Sequence, residues 1–319
     1  MIVRQSFFIF LLNPLFGVMS SVGQGNSVDT HHDLNQTQSE GMSYRDATLY
    51  GLVEGVTEFL PISSTGHLIL VSEVLAHKSK TKGQEEAINA YLIVIQAGAI
   101  LAVALLYRKE IWSIALGFLG LDPRGKRLGL NLFFAFLPAA MMGPFLDDII
   151  ESALFGLLPI AIALFAGGLL MFWAENRKKR QSTNLSSANE KTLDDLSFLN
   201  ALFIGAMQCV AMWPGTSRSM MTIVGGYLVG LERAKAAEFS FLLGLITLTA
   251  AAGYKGLTKW EVMRDNLELG PVLWGCLVAG IAAALSVFWL VGYLTRRGLG
   301  LFVWYRIILS FIVLYFYFA

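Results

Sequence analysis

Apolar runs of roughly twenty residues recur along the chain, at about 87–107, 128–146, 152–174, 236–257, 271–294 and 299–318. Each is long enough to cross the hydrocarbon core of a bilayer as a helix, so six spanning helices are expected. Two further apolar segments, roughly 46–76 and 198–230, centre on Pro61 and Pro214. Proline removes a backbone donor and ends a helix, so each segment is expected to form two half-helices around a break. Irregular backbone at membrane depth is tolerated only where protein or a water-filled cavity surrounds it. The polar stretch ENRKKRQSTNLSSANEKTLDD, Glu175 to Asp195, divides the chain into halves of about 42–174 and 196–319.

With the prolines aligned, LPISSTGH and WPGTSRSM match Pro61 with Pro214, Ser63 with Thr216 and Ser64 with Ser217. The Lys and Arg positions orient the chain. If the first span runs outside to inside, the inner loops hold Arg108, Lys109, Arg124, Lys126, Arg127, Arg177 through Arg180, Lys191, Arg233, Lys235, Arg296 and Arg297. The smaller outer set is Arg45, Lys78, Lys80, Lys82, Lys255, Lys259 and Arg264, and the C-terminus lies outside. On this topology the first broken segment enters from outside and the second from inside. Inverted repeats of broken helices build polar sites inside membranes.

Composition agrees: 55% of residues are hydrophobic and 15% charged, against about a quarter charged in soluble domains. The fold class is therefore all-α and polytopic, with six spanning helices, two re-entrant broken segments and one membrane domain over 42–319. A net charge of +1 offers no electrostatic basis for nucleic-acid binding, and Cys209 and Cys276 suggest no disulfide framework. Residues 1–41 are set apart. VRQSFFIFLLNPLFGVMSSVG resembles a signal peptide, and the polar tail after it, with His31 and His32, reads as solvated and disordered. A start at Met42, where the apolar pattern resumes, is the other reading.

The chemistry concentrates at the two breaks. Glu54 and Glu58 are four apart and share a helix face, where carboxylate oxygens suit a hard cation such as Mg²⁺ or Ca²⁺. PISSTGH adds the hydroxyls of Ser63, Ser64 and Thr65, a flexible Gly66 and the titratable His67. One of these hydroxyls is expected to cap the helix that follows. PGTSRS adds Ser217 and Arg218, whose planar fork pairs with phosphate oxygens. Gln208, within the second broken helix, either serves the site or only packs. Gln96, Glu238 and Arg306 are read first as interhelical bonds or snorkelling charges. Together the residues describe a phosphate site.

At these residues the chain resembles the undecaprenyl-pyrophosphate phosphatase family, the bacitracin-resistance membrane phosphatases of bacteria. EGVTEFLPISSTGH (54–67) and QCVAMWPGTSRS (208–219) carry the resemblance, with VIQAGAILAV and AEFSFLLGL beside them, and it extends from about Met42 to the C-terminus. It implies hydrolysis of undecaprenyl diphosphate to the monophosphate, a divalent cation, and an active site on the periplasmic side of the inner membrane. It assigns Glu54 and Glu58 to the family's glutamate pair, Ser64, Thr65 and His67 to its hydroxyl–histidine turn, and Ser217 with Arg218 to its arginine loop. SMMT after Arg218 departs from the small residues more usual there.

In this reading Glu54 and Glu58 hold the metal, and Ser63, Thr65, Ser217, Arg218 and Gln208 bind the substrate. Ser64 attacks phosphorus or positions the water that does, with His67 as general acid or base and Glu58 and Arg218 completing the catalytic set. The expected partners are a polyprenyl diphosphate and the bilayer around it, and a homo-oligomer is compatible with the pattern. The competing class is a transporter or flippase for an anionic polyprenyl lipid, which accounts for Arg218 and the repeats. Binding without turnover has no need of a nucleophile.

Overall fold

A computed structural model describes residues 42–75, 82–184, 190–258, 261 and 268–318 of the chain. Residues 1–41, with His31 and His32, and the loop cations Lys78, Lys80, Lys259 and Arg264 lie outside the described residues. The helices are α1 (Tyr44–Thr57), α2 (Ser64–Leu75), α3 (Lys82–Leu106), α4 (Arg108–Phe118), α5 (Pro123–Leu154) and α6 (Leu157–Asn184). After a 3₁₀ turn, Leu193–Asp195, come α7 (Phe198–Val210), α8 (Arg218–Leu228), α9 (Arg233–Thr258), α10 (Leu269–Arg297) and α11 (Gly300–Phe318). Among the described residues the only ladder contact is the isolated bridge Lys191–Leu231.

All six expected spans are present as helices. Five are long and apolar enough to cross a membrane alone, and the sixth is α3 taken with α4, bent by 75°. The stretch after Tyr107, expected only as a charged loop, is a helix because Ile111 and Ile114 pack on the core. Both broken segments form helical hairpins. Tyr50 Oη lies 3.1 Å from Ser72 Oγ across the first, and a Cβ added at Gly225 would stand 3.3 Å from the Cα of Ile204 across the second.

The hairpins enter from opposite ends of the bundle. At the base of the first, Trp274 near the start of α10 donates to Thr48 Oγ1 at 2.7 Å. At the base of the second, Arg233 and the backbone N–H of Leu299, just past the end of α10, both bond Glu175. The 29 residues of α10 place those ends roughly 43 Å apart. The cations assigned inside also gather at one end: Arg124 with Asp194, Lys178 with Glu190, Arg127 with the Leu196 carbonyl, and Lys191 paired to the Gly230 backbone. The tips meet in between, where Ser219 Oγ donates to the Leu60 carbonyl at 2.8 Å.

The repeat has a register of 154 residues, which corrects the proline alignment by one. Ser43, Gly51, Glu54 and Ser63 correspond to Ser197, Gly205, Gln208 and Ser217. Ser43 and Ser197 cap α1 and α7. Gly51 and Gly205 let those helices touch partners from the opposite half: an added Cβ would lie 2.6 Å from the Gly275 carbonyl and 2.2 Å from the Ala135 carbonyl. Such close backbone approach is how helices associate in lipid. Among the described residues Ser63 and Ser217 are the two non-glycine residues with positive φ, 74° and 75°, and their Oγ atoms accept from Gly66 N and Met220 N. The second loop simply carries one more residue between its proline and its capping serine.

Candidate active site

Two strained serines place the chemistry. A non-glycine residue in the left-handed region costs on the order of 1–3 kcal/mol, and each here turns the chain so that the next residue opens a helix facing the other loop. The residues after them are Ser64 and Arg218. Both converge on Glu58, which caps the end of α1. Ser64 Oγ donates to Glu58 Oε2 at 2.7 Å, and Arg218 Nη2 donates to Oε1 at 2.9 Å. Arg218 is further held by its Nη1 on the Ser240 carbonyl at 3.2 Å and by Phe59, whose ring centroid lies 5.2 Å from Cζ. Arg218 Nε is buried with no partner among the described residues. Ser64, Thr65 and Arg218 are partly open, whereas Glu54, Glu58, Ser63, His67, Gln208 and Ser217 are buried.

Glu54 stands one turn before Glu58. Its Oε1 accepts from Gln96 Nε2 at 3.2 Å, and Oε2 is buried without a partner among the described residues. Gln208 repeats this in the second hairpin: Thr247 Oγ1 donates to its Oε1 at 3.2 Å, and its Nε2 is left unpaired. Gln96 therefore does make an interhelical bond, onto the carboxylate that sequence alone put at the site.

His67 is turned away from Ser64. Its Nδ1 lies 2.6 Å from the Ser63 carbonyl and its Nε2 2.6 Å from Tyr305 Oη. A carbonyl only accepts, so Nδ1 carries the hydrogen, and in that tautomer of the neutral ring Nε2 is the acceptor for the Tyr305 hydroxyl. Ser63 and Ser217 serve as helix caps, and Ser217 Oγ also lies 3.1 Å from Ser219 Oγ. Met220 and Met221 of the departing SMMT stretch are core residues. Gly167 makes room for Met220, whose Cε would lie 2.9 Å from a Cβ there.

Sequence reasoning missed Ser240, Phe59 and Tyr305. Phe59, flanked by Glu58 and the break, was findable as a surface for an arginine. Ser240 acts through its backbone, which no side-chain pattern reveals.

Among the described residues no three His, Cys, Asp or Glu side chains gather in a metal-binding group. A cation here would thus be held by the Glu54–Glu58 pair and draw its remaining ligands from elsewhere. Mg²⁺ is commonly bound in that way, by one or two carboxylates plus substrate phosphates, so the donor set fits.

Fold and site together define a polytopic membrane protein whose two inverted hairpins meet at a serine, a carboxylate pair and an arginine. The chain belongs to the family described as bacitracin resistance protein BacA, whose model matches residues 47–312. It is 44% identical over 281 residues to the undecaprenyl-diphosphatase of Sorangium cellulosum, covering 86% of each chain. It is 41% identical over 269 residues to undecaprenyl-diphosphatase 3 of Acinetobacter baylyi, covering 84% of this chain and 96% of that one. With undecaprenyl-diphosphatase 2 of Rhodospirillum rubrum the identity is 41% over 268 residues, covering 84% and 93%.

Proposed function

We propose that the protein hydrolyses undecaprenyl diphosphate to undecaprenyl phosphate and phosphate, regenerating the lipid carrier of cell-wall synthesis and conferring bacitracin resistance. The observation that carries this reading is Glu58, one carboxylate shared by the Ser64 hydroxyl and the Arg218 guanidinium. The multi-pass fold belongs in the bacterial inner membrane. The first hairpin opens to the outer side, so the site faces the periplasm, and the polyprenyl tail lies among the spans.

Ser64 attacks the terminal phosphorus. An Oγ–P bond forms, the bond from phosphorus to the bridging oxygen breaks, and the hydroxyl proton passes to Glu58 Oε2. Undecaprenyl phosphate departs as the anion. Water then displaces Oγ from phosphorus, Glu58 returns its proton to Oγ, and the phosphate leaves with both protons of the water, as H₂PO₄⁻. Arg218 has Nε–H and one hydrogen on each terminal nitrogen left for phosphate oxygens, and Phe59 fixes the plane of that fork. Such fixed positive charge is the main demand of phosphoryl transfer. Thr65, partly open beside Ser64, and Gln208 Nε2, left without a partner among the described residues, are the further groups offered to the substrate, while Ser217 caps α8. His67 acts through the Ser63 backbone.

Glu54 Oε2 and Glu58 would hold a divalent cation, Mg²⁺ or Ca²⁺. When bound, it supplies positive charge to the diphosphate.

The test is phosphate release from undecaprenyl diphosphate by the full chain purified in detergent, with and without chelator. Arg218→Lys keeps the charge but loses the paired donors, worth roughly 1.5–3 kcal/mol, so kcat/KM should fall about ten- to a hundredfold. Arg218→Ala should lose more. No release by the folded parent, or near-normal turnover in folded Arg218→Ala, would end the proposal.

A further inference from the structure

Arg306 does not snorkel. It sits within α11 at 0% exposure, and its Nη2 donates to the Ala163 carbonyl of α6 at 3.1 Å and to the Gly215 carbonyl of the second loop at 3.0 Å. Among the described residues its Nε and Nη1 are buried with no partner, and no carboxylate is paired with it. Gly167 of α6 gives it passage, since a Cβ there would stand 2.3 Å from Nη2. A buried cation without a counter-ion is costly, and it is retained where its geometry is used.

The preceding residue reaches the other loop. Tyr305 Oη bonds His67 Nε2 with the rings stacked at 5.6 Å between centroids, and His67 Nδ1 bonds the Ser63 carbonyl. That carbonyl belongs to the peptide unit from which Ser64 hangs. The Gly215 carbonyl begins the turn through Ser217 to Arg218. Adjacent residues on one helix thus grip both loops, one through an imidazole and one directly. Each grip falls beside a positive-φ serine, and strained backbone persists only where its surroundings over-determine it.

We propose that Tyr305 and Arg306 are positioning residues that set Ser64 and Arg218 against each other across the two hairpin tips. The inference rests on the reading of Ser64 and Arg218 as the reacting groups. Neither Tyr305 nor Arg306 touches the substrate; they fix the separation and aim of the groups that do. Small misplacements of reacting groups are expensive in rate, about a hundredfold for an ångström.

The experiment measures kcat, KM and thermal unfolding of Tyr305→Phe and Arg306→Lys in the full chain, assayed well below the melting temperature, with Arg218→Ala and Ser64→Ala alongside. Tyr305→Phe removes one oxygen and should lower kcat about tenfold or more, with KM within about twofold and unfolding unchanged. Arg306→Lys, which cannot hold two carbonyls in one plane, should do the same. Should Arg306→Lys fail to fold, Tyr305→Phe decides alone. A kcat that falls only in proportion to the folded fraction would show a purely structural role and overturn the inference. Parental kcat in both variants beside an inactive Arg218→Ala overturns it too, while leaving the site intact. Turnover persisting in both Ser64→Ala and Arg218→Ala would sink the inference and the site reading together.

Discussion

Gly244 on α9 sits one turn after Ser240 and tests how closely the guanidinium of Arg218 is held. A Cβ at this position would lie 2.0 Å from Arg218 Nη1, 2.5 Å from Cζ and 2.8 Å from Nη2. Ordinary contact begins near about 3.5 Å, so Gly244→Ala requires a displacement on the order of 1–1.5 Å. The side-chain end will yield before the helix backbone does. Its place is defined by a 2.9 Å bond to Glu58 and a 3.2 Å bond to the Ser240 carbonyl, and a shift of that size breaks at least one. A charge-assisted hydrogen bond is worth roughly 1.5–3 kcal/mol, or about ten- to a hundredfold in kcat/KM. Phosphate release against substrate concentration measures it directly. Gly253→Ala is the control, because it lies on the same helix with nothing within 4 Å of the added carbon, and it should behave as the parent. Parental kcat/KM in folded Gly244→Ala would refute the claim that catalysis depends on the guanidinium where Glu58 and Ser240 hold it.

Ser64→Ala should nearly abolish turnover, whereas Ser63→Ala loses a helix cap worth about 1 kcal/mol of stability and keeps a substantial part of it. Rapid quenching with labelled substrate should reveal phosphoserine; its absence, with a few per cent of activity left in Ser64→Ala, would assign the attack to water. Glu58→Gln can still bond one of its two partners but cannot take a proton, so a loss of at least about a hundredfold is expected. Glu54→Gln keeps the Gln96 bond and copies Gln208 of the second hairpin; its loss should be partly recovered by excess Mg²⁺ or Ca²⁺. Undiminished activity of both glutamate variants in chelator would remove the metal role.

The membrane class, the spans and the two hairpins were legible in the sequence because lipid imposes a one-dimensional rule. About twenty apolar residues must be helical, and any polar interruption needs a reason. The glutamates at 54 and 58, the serine run and Arg218 stood out on the same ground, since ionisable groups in apolar segments are rare and functional. Proline marked both breaks, since α1 ends at Thr57 and α7 at Val210, each four residues before Pro61 and Pro214. Pro138 and Pro144, in contrast, lie inside α5 without breaking it, and positive φ at Ser63 and Ser217 opens the helices that follow. The second loop carries one more residue between its proline and that serine, so the serines are 154 apart while the prolines are 153 apart. Only the tertiary structure decided which partner each polar group found. Glu58 rather than His67 accepts from Ser64, Arg306 grips a loop 91 residues away in sequence, and Gly244 yields its space to a guanidinium. Hydropathy records how much of a helix is apolar. The direction in which a buried hydrogen bond points depends on where the opposing helix sets its backbone, and that is fixed only when the two halves close on each other.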